Sequence, residues 1–216
     1  MKKKLITVAI DSPAAAGAGT QAKLIAKHYN LFYLDTGKIY RYIGKLNLEN
    51  PKKIKYSLIK KKIKNLKFKY LKSSKLLTDD VAISASIVAK DNKIRKIVYN
   101  FQKKCAYKPP KKYLGSILDG RDITSVIMKD AMFKFFITAS VKIRAIRRFK
   151  EYRKLNKEIT YNKVLKSLKT RDFSDKYRKY GPLLKTKDSI LINTTKLSKT
   201  SCFKKIKHIM DRKIKA

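Results

Sequence analysis

The feature that most constrains the fold is a run of small residues between an apolar stretch and a helix-compatible stretch near the amino terminus. Residues 5–10 read LITVAI, which predicts a buried strand, and residues 21–29 have helical spacing. The sequence between them, SPAAAGAGT at 12–20, carries no bulky side chain. A loop of this kind lets backbone N–H groups surround a phosphate at the start of a helix. The sequence therefore predicts a phosphate-binding loop in an α/β chain.

The loop departs from the common pattern G-x-x-x-x-G-K-[ST] at three of its four defining positions. Ser12 stands where the first glycine is expected, Gly17 keeps the second, Ala18 occupies the lysine position, and Gly19 stands at the Ser/Thr position. Losing one preorganised donor of that kind typically costs about 3–4 kcal/mol of transition-state stabilisation. Small-residue loops between a strand and a helix are common, so this pattern alone is a weak signal.

Further apolar and amphipathic segments alternate along the chain. Short apolar runs predict strands at 31–35, 114–118, 133–138 and 189–192. Helical spacing predicts helices at 38–46, 92–106, 141–154 and 161–168, one that follows Thr78 and includes Val81, Ile83, Ala85 and Val88, and a last one capped by Ser198. This alternation favours a parallel sheet covered on both faces, and 216 residues fit one domain with insertions.

Residues 52–75 are rich in lysine and contain no acidic residue. Ile59, Ile63 and Leu66 keep helical spacing there, whereas residues 67–70 alternate between lysine and aromatic side chains, which predicts a strand. We expect a peripheral insertion with a solvated basic face.

The charge of the chain is extreme, with 56 Lys and Arg residues against 15 Asp and Glu and a net charge of +41. A chain of this kind attracts polyanions at low salt. However, only ten of the basic residues are arginine, and the lysines are spread along the whole sequence. A dedicated nucleic-acid surface concentrates arginine and aromatic residues on one face, so we expect no specific nucleic-acid partner.

Other protein classes are disfavoured by composition. No apolar run approaches the roughly 20 residues that span a bilayer, and the amino-terminal run is too short for a secretory signal, so we expect a cytoplasmic protein without membrane contact. Cys105 and Cys202 lie far apart and are expected to be reduced packing residues. His28 and His208 stand alone and suggest no zinc site.

The arginines are informative because lysine dominates everywhere else. Five of them occur where the pattern turns polar: Arg41, Arg95, Arg121, Arg171 and Arg178. A guanidinium can hold a phosphate with two parallel hydrogen bonds, which lysine cannot do. Each arginine taken singly is also compatible with a surface salt bridge of little energetic value. Asp119 ends a predicted strand, so it brings a carboxylate to the carboxyl edge of the sheet, where a magnesium-organising aspartate belongs.

Six ordered blocks carry a resemblance to a known family. AIDSPAAAGAGT at 9–20 resembles AIDGPxGAGKGT, YLDTGKIYR at 33–41 resembles YLDTGxxYR, and SASIVAKDNKIR at 84–95 resembles ASxVAxxPxVR. Residues 118–140 resemble a DGRD block, RDFSDKYRKYGPL at 171–183 resembles the lid RDxRDxxRxxxPL, and ILINTTKLS at 190–198 resembles a closing strand. With these blocks the chain resembles the bacterial cytidylate kinases of the nucleoside monophosphate kinase family over nearly its whole length.

The resemblance implies an α/β fold with a parallel sheet and a P-loop, an inserted acceptor-binding segment at about 46–90, and a lid at about 171–183. It implies transfer of the γ-phosphate of ATP to CMP, and to dCMP, with Mg²⁺ as cofactor and a monomeric enzyme. The backbone of the loop would hold the ATP phosphates; its residues are Ser12, Pro13, Ala14, Ala15, Ala16, Gly17, Ala18, Gly19 and Thr20.

The resemblance also implies roles for single residues. The matching positions read the cytosine ring (Ser86, Arg95 and Asp122), hold the ribose hydroxyls (Arg171 and Asp175), clamp the CMP phosphate and the transferring group (Arg41, Arg121 and Arg178) and order the acceptor site (Asp35). The expected catalytic set is Arg121, Arg171, Arg178 and Asp119, with Asp119 also the expected magnesium ligand.

The departures from the family pattern leave three hypotheses. Ser12 and Ala15 replace glycines, which is tolerable if their φ angles are negative, and Ser174 replaces a lid arginine. In the first hypothesis the enzyme is active and a lysine of the lid region, Lys176, Lys179 or Lys185, takes over the work of the lysine missing at position 18. In the second the chain is a nucleotide-binding pseudokinase, and in the third a basic RNA-binding protein on a kinase fold. The retained arginines favour the active enzyme.

Overall fold

A five-stranded parallel sheet forms the centre of the molecule. The computed structural model describes residues 5–50, 55–155 and 158–215. The strands are β1 (Ile6–Asp11), β2 (Leu31–Asp35), β3 (Gly115–Gly120), β4 (Phe133–Thr138) and β5 (Ile190–Asn193). Their order in the sheet is β2-β3-β1-β4-β5, and every neighbouring pair is parallel. The predicted parallel α/β fold is confirmed.

Helices cover both faces of this sheet. They are α1 (Ala18–His28), α2 (Gly37–Glu49), α3 (Tyr56–Lys64), α4 (Asp79–Val88), α5 (Asn92–Tyr107), α6 (Val141–Lys154), α7 (Tyr161–Tyr177) and α8 (Lys199–Lys215). Successive residues of β1 point to opposite faces, so Val8 and Ile10 pack with α1 and α8 whereas Ala9 packs with α2 and α5. A smaller cluster of Ala145, Val164 and Leu168 joins α6 to α7. No helix in the described part of the chain is long and apolar enough to cross a membrane.

The prediction of a strand at 67–70 is wrong. Residues Phe68–Lys72 form a 3₁₀ turn, in which side chains three positions apart lie on the same side. The ring of Phe68 contacts that of Phe32, and Leu71 is buried three positions later. Leu71 reaches the core, whereas Phe68 remains 39% exposed beside Phe32, so the two-residue alternation of the sequence does not decide the local structure.

The lysine-rich segment is less peripheral than its composition predicts. Ile59, Ile63 and Leu66 are buried, as their spacing predicts, and they join the same cluster as Leu34 of β2 and Leu118 of β3. The basic side chains of α3 lie on its outer face, where Lys60, Lys61, Lys62 and Lys64 are exposed. The structure describes 46–50 and 55–90 of the predicted insertion; residues 51–54 lie outside the described residues.

The structure adds detail to two predicted helices. Of the apolar residues noted on α4, Val81, Ala85 and Val88 are buried, at intervals of four and three, whereas Ile83 is 60% exposed. The helix predicted to include residues 161–168 continues to Tyr177. The first half of the predicted lid, 171–183, is therefore the end of α7.

Candidate active site

The small-residue loop connects β1 to α1, as predicted. Gly17 caps α1 with a φ of 91°, and the first helical hydrogen bond runs from the Gln21 N–H to the Gly17 carbonyl. The N–H groups of Ala18, Gly19 and Thr20 precede that bond, so they have no partner within the helix. Donors and helix dipole together favour an anion in front of this loop.

Ala15 is strained in this loop. Its φ is +60°, in the left-handed region that favours glycine, so the condition under which this replacement is tolerated, a negative φ, is not met. An L-residue other than glycine loses about 1–2 kcal/mol in this conformation because its Cβ approaches the next carbonyl oxygen. Ser12, the other replaced glycine, is not in this region. Only one of the two replacements therefore strains the loop.

Ala18, at the lysine position, contributes no charge. Its methyl group is buried with 4% exposure in the apolar cluster between the sheet, α1 and α8.

Asp11 anchors the front of the loop. Its buried carboxylate accepts hydrogen bonds from the N–H groups of Ile123 and Thr124 and from the Thr124 hydroxyl, at 2.6–2.8 Å. The Ser12 N–H donates to the Gly120 carbonyl at 3.2 Å. Burial raises the pKa of Asp11 to about 6, although the three donors favour its charged form. These bonds tie the loop to the turn after β3.

Arg144 of α6 anchors the middle of the loop. Its buried guanidinium donates to the carbonyls of Ala14 and Ala139, at 3.1 and 2.9 Å. The same group holds Asp172 of α7 with two parallel bonds, one of them 3.0 Å long. One arginine therefore fixes the phosphate loop relative to the helix that carries the predicted lid.

A pair of carboxylates lies at the carboxyl edge of the sheet. Asp35 and Asp119 are register partners on β2 and β3. The Asp119 side chain lies beside the Tyr33 hydroxyl, and its Oδ1 is buried without a hydrogen-bond partner within the described chain. Burial and the charge of Asp35 raise the pKa of Asp119 well above its ordinary value. Gly19 of the loop faces these groups, since a Cβ there would stand 3.4 Å from Asp119 Oδ2 and from the Tyr33 hydroxyl.

Three predicted arginines converge on one predicted aspartate. Asp175 of α7 accepts a 2.8 Å hydrogen bond from Arg121 Nε, and it lies 3.7 Å from Arg171 Nε and 3.6 Å from Arg178 Nη1. Burial opposes ionisation of Asp175, but the charges of Arg121 and Arg171 outweigh it and hold its pKa below the ordinary value. Burial and the charge of Arg121 lower the pKa of Arg171 to about 10.

Two of the three residues predicted to read the base are also joined. Arg95 and Asp122 form an ion pair with both side chains nearly buried, and the Arg95 guanidinium lies over the ring of Tyr40. Gly181 packs directly on this pair with a φ of +55°, and the carbonyl of Gly181 accepts a 2.7 Å bond from Arg178. The end of the predicted lid therefore rests on the predicted base-reading pair.

The remaining predicted residues lie at the margin of this group. Arg41 is largely buried and donates to the Leu76 carbonyl at 2.8 Å, and its charge acts on that of Arg171. Ser86 is exposed on α4, where its hydroxyl donates to the Ile83 carbonyl of the preceding turn. The structure therefore gathers the arginines and aspartates, whereas the Ser86 hydroxyl bonds within its own helix.

Comparison with known proteins identifies the family of this chain. A family model described as cytidylate kinase matches residues 8–212.

The chain belongs to the cytidylate kinase family.

Curated members of this family match nearly the whole chain. A cytidylate kinase of Clostridium perfringens strain SM101 is 36% identical, with coverage of 97% of this chain and 99% of the relative. One from Fusobacterium nucleatum is 39% identical, covering 89% and 91%. A crystal structure of an uncharacterized protein from Eubacterium ventriosum has a TM-score of 0.57 at 17% identity and covers 96% of this chain and 99% of its own, a likeness of fold alone. As a cytidylate kinase family member the chain is a nucleotide-binding transferase.

Two residues that hold the phosphate loop in place, Asp11 and Arg144, were not predicted from the sequence. Both carried a signal: Asp11 is a charged residue at the end of an apolar strand, and Arg144 is one of only ten arginines in a lysine-rich chain. Within residues 5–50, 55–155 and 158–215, no group of three or more His, Cys, Asp or Glu side chains could hold a metal ion. Mg²⁺ needs no such cage, since it commonly binds one or two carboxylates together with substrate phosphates.

Proposed function

We propose that this chain transfers the γ-phosphate of ATP to CMP, and to dCMP, producing CDP or dCDP and ADP. Family membership supports cytidylate kinase activity, and it favours neither a pseudokinase nor an RNA-binding protein. The proposal rests most directly on the arginines around Asp175.

The arginines around Asp175 outnumber the carboxylates that they contact. Arg121, Arg171 and Arg178 share one carboxylate, Asp175, and Arg171 already has a pKa lowered to about 10 by burial and by the charge of Arg121. One carboxylate shared by three guanidinium groups leaves a net positive charge at this position. A phosphate dianion would balance this charge and would accept the planar, paired hydrogen bonds that guanidinium groups donate. The acceptor phosphate and the transferring group are the anions of this reaction.

The base-reading role falls to Arg95 and Asp122. A guanidinium that donates and a carboxylate that accepts can together match the acceptor and donor groups on one edge of a cytosine ring. In the structure these two side chains satisfy each other beneath Gly181. Binding of CMP therefore requires that the loop around Gly181 move and that the pair turn towards the base.

Asp119 and Asp35 fit a magnesium ion that accompanies ATP. The fit rests on the buried Asp119 Oδ1, which lacks a partner, and on the adjacent Asp35 carboxylate. When bound, Mg²⁺ supplies positive charge that offsets the negative charge of the phosphates. Tyr33 orients Asp119, and the N–H groups of Ala14–Thr20 would hold the phosphates of ATP.

The family resemblance supports roles for two segments of the chain. The segment 46–90 would carry the acceptor nucleotide, and the lid 171–183 would close over both substrates. Closure around the arginines excludes water, which would otherwise accept the phosphoryl group. We further propose that the enzyme acts as a monomer.

The test is a coupled assay of ADP release with ATP, Mg²⁺ and CMP, beside UMP, AMP and no acceptor, at about 0.2 M salt to weaken polyanion artefacts. We expect turnover that depends on CMP. Arg121→Ala should lower kcat by about 100-fold or more, the usual effect of removing one preorganised donor. Arg153→Ala, which removes an exposed arginine of α6, is the matched control and should change kcat less than twofold.

Absence of CMP-dependent turnover with retained CMP binding in calorimetry would refute the proposal in favour of a pseudokinase. RNA binding that persists as salt rises would instead support the RNA-binding hypothesis, since chance electrostatic attraction falls steeply with salt.

A further inference from the structure

The phosphate loop has no lysine at position 18, and the two arginines beside it, Arg144 and Arg147, hold the loop in place. Arg144 is bound to Asp172 and to two backbone carbonyls. Arg147 donates to both the hydroxyl and the carbonyl of Thr194, whose hydroxyl in turn donates to the Ala16 carbonyl of the loop. These bonds hold both guanidinium groups beside the backbone of the loop. Neither arginine stands at the lysine position, and the arginines around Asp175 serve the acceptor side in the proposed function. A lysine beside the loop can supply the charge that position 18 lacks.

A cavity of about 560 Å³ lies between the phosphate loop and α7. The loop contributes Pro13, the end of β4 contributes Phe136 and Thr138, and Arg144 and Asp172 form part of its wall. The remaining lining comes from the end of α7 and the following loop, including Lys176, Tyr177 and Lys185. The cavity is therefore bounded on one side by the loop that would hold phosphates and on another by two lysines.

The two lysines are suited to meet an anion there. The Lys176 ammonium lies 5.1 Å from the centre of the Tyr177 ring, and that of Lys185 donates to the Thr186 carbonyl at 3.3 Å. Neither takes part in an ion pair within the described part of the chain, and both side chains are exposed. Lys179 lies outside this lining, with its ammonium 5.7 Å from the centre of the Tyr180 ring.

We propose that Lys176 and Lys185 together replace the missing loop lysine and contact the β- and γ-phosphates of ATP across this cavity. The inference rests on the proposed kinase function. In the transfer, an oxygen of the CMP phosphate forms a bond to the γ-phosphorus while the bond from that phosphorus to the β–γ bridging oxygen breaks. The electron pair of the broken bond stays on the β-phosphate of ADP, where the two ammonium groups offset the charge that develops.

The position of the lysines on α7 supports this role. Asp175 faces the acceptor-side arginines, whereas Asp172 and Lys176, four residues apart, face the cavity beside the loop. A lysine ammonium on a flexible four-carbon stem can adjust to a phosphate without the fixed planar geometry of arginine.

The first experiment removes both charges and measures turnover. Lys176→Ala/Lys185→Ala should lower kcat with ATP and CMP by about 100-fold, with a smaller change in KM, because the charge is needed most in the transition state. Lys187→Ala removes an equally exposed lysine two positions beyond Lys185 and should stay within twofold of the wild type. Double-variant activity within threefold of the wild type, or an equal loss in the control, would overturn the inference.

A second experiment restores the charge at its usual place. Ala18→Lys in the double variant should recover at least tenfold of the lost kcat if the missing function is a cation at the phosphates. This experiment would overturn the inference if Ala18→Lys restored no turnover to the double variant. Two controls make that result decisive: the double variant must unfold at the same temperature as the wild type, and Ala18→Lys alone must be active.

A binding measurement separates this inference from the proposed function. Calorimetry with ATP and Mg²⁺, without CMP, should show about tenfold weaker affinity in the double variant and unchanged affinity for adenosine, which has no phosphates. If the wild type fails to phosphorylate CMP but the double variant still loses ATP affinity, the kinase proposal fails and the lysine contact stands. If CMP is phosphorylated equally by all variants and ATP affinity is equal, only the inference fails.

Discussion

Replacing Ala15 by glycine should make the protein more stable, although it removes a side chain. Ala15 has a φ of +60°, which costs an alanine about 1–2 kcal/mol relative to glycine. Glycine in turn loses more backbone entropy on folding, by roughly 0.5–1 kcal/mol. The difference predicts that Ala15→Gly raises the free energy of unfolding by about 0.5–1 kcal/mol.

Ala16→Gly is the matched control, because Ala16 is the next residue, is 1% exposed and has no positive φ. That variant gains no strain relief, loses a buried methyl group at about 0.8 kcal/mol, and has the same entropy cost. It should lower the free energy of unfolding by about 1.5 kcal/mol. Two neighbouring alanines are therefore expected to respond with opposite signs.

The assay is equilibrium unfolding in urea, with thermal unfolding as a second probe. For a chain of this size 1 kcal/mol corresponds to about 2–4 °C, so the two midpoints should separate by several degrees. A loss of stability in Ala15→Gly equal to that in Ala16→Gly would refute the reasoning, because it would mean that the left-handed conformation of Ala15 carries no strain.

Three other perturbations follow from contacts in the site. Gly181→Ala should destabilise the protein by at least about 1–2 kcal/mol in urea unfolding, since Gly181 has a positive φ and a Cβ there would overlap the Arg95 guanidinium; an unchanged midpoint would contradict this. Arg144→Ala should cost about 3 kcal/mol by the same assay, because it leaves the Asp172 carboxylate without its partner, and Arg153→Ala should cost under 0.5 kcal/mol. Burial raises the pKa of Asp11 to about 6, above its ordinary value of 3.8, so the folded state holds a proton that the unfolded chain releases. The free energy of unfolding should therefore fall by about 2–3 kcal/mol as the pH rises from 4 to 6, and Asp11→Asn should lack this part of the slope.

The sheet could be predicted from sequence because its strands are predominantly apolar. The run at 133–138 coincides with β4, and that at 31–35 with β2. Along β4 buried residues alternate with partly exposed ones, among them Lys134, but apolar residues are frequent enough there to predict the strand. The helix predicted at 141–154 likewise coincides with α6.

The errors arose where distant contacts decide local structure. Nothing within residues 67–70 indicates that Phe68 will meet Phe32 or that the next residue, Leu71, will be buried, and the segment forms a 3₁₀ turn rather than a strand. The composition of 52–75 shows many charges, but it does not show that Ile59 and Ile63 complete a core begun by β2 and β3.

The site was predicted largely through residue types rather than geometry. Arginines in a lysine-rich chain pointed to Arg121 and Arg178, which the structure places around Asp175. The φ of Ala15 could not be inferred, because the sequence alone does not show whether a replaced glycine held a left-handed conformation. Three lysines of the lid region were candidates to replace the missing loop lysine. The position of the cavity was needed to propose Lys176 and Lys185 rather than Lys179.

Helix α7 is held at two points by opposite sides of the molecule. Asp172 binds Arg144, which fixes the phosphate loop, and three residues later Asp175 binds Arg121, which follows β3. A displacement of this helix end as a rigid unit would change both ion pairs together. Under the proposed function, a substrate that favours one position of α7 would therefore also favour binding of the other substrate, and thermodynamic linkage would make the two effects equal.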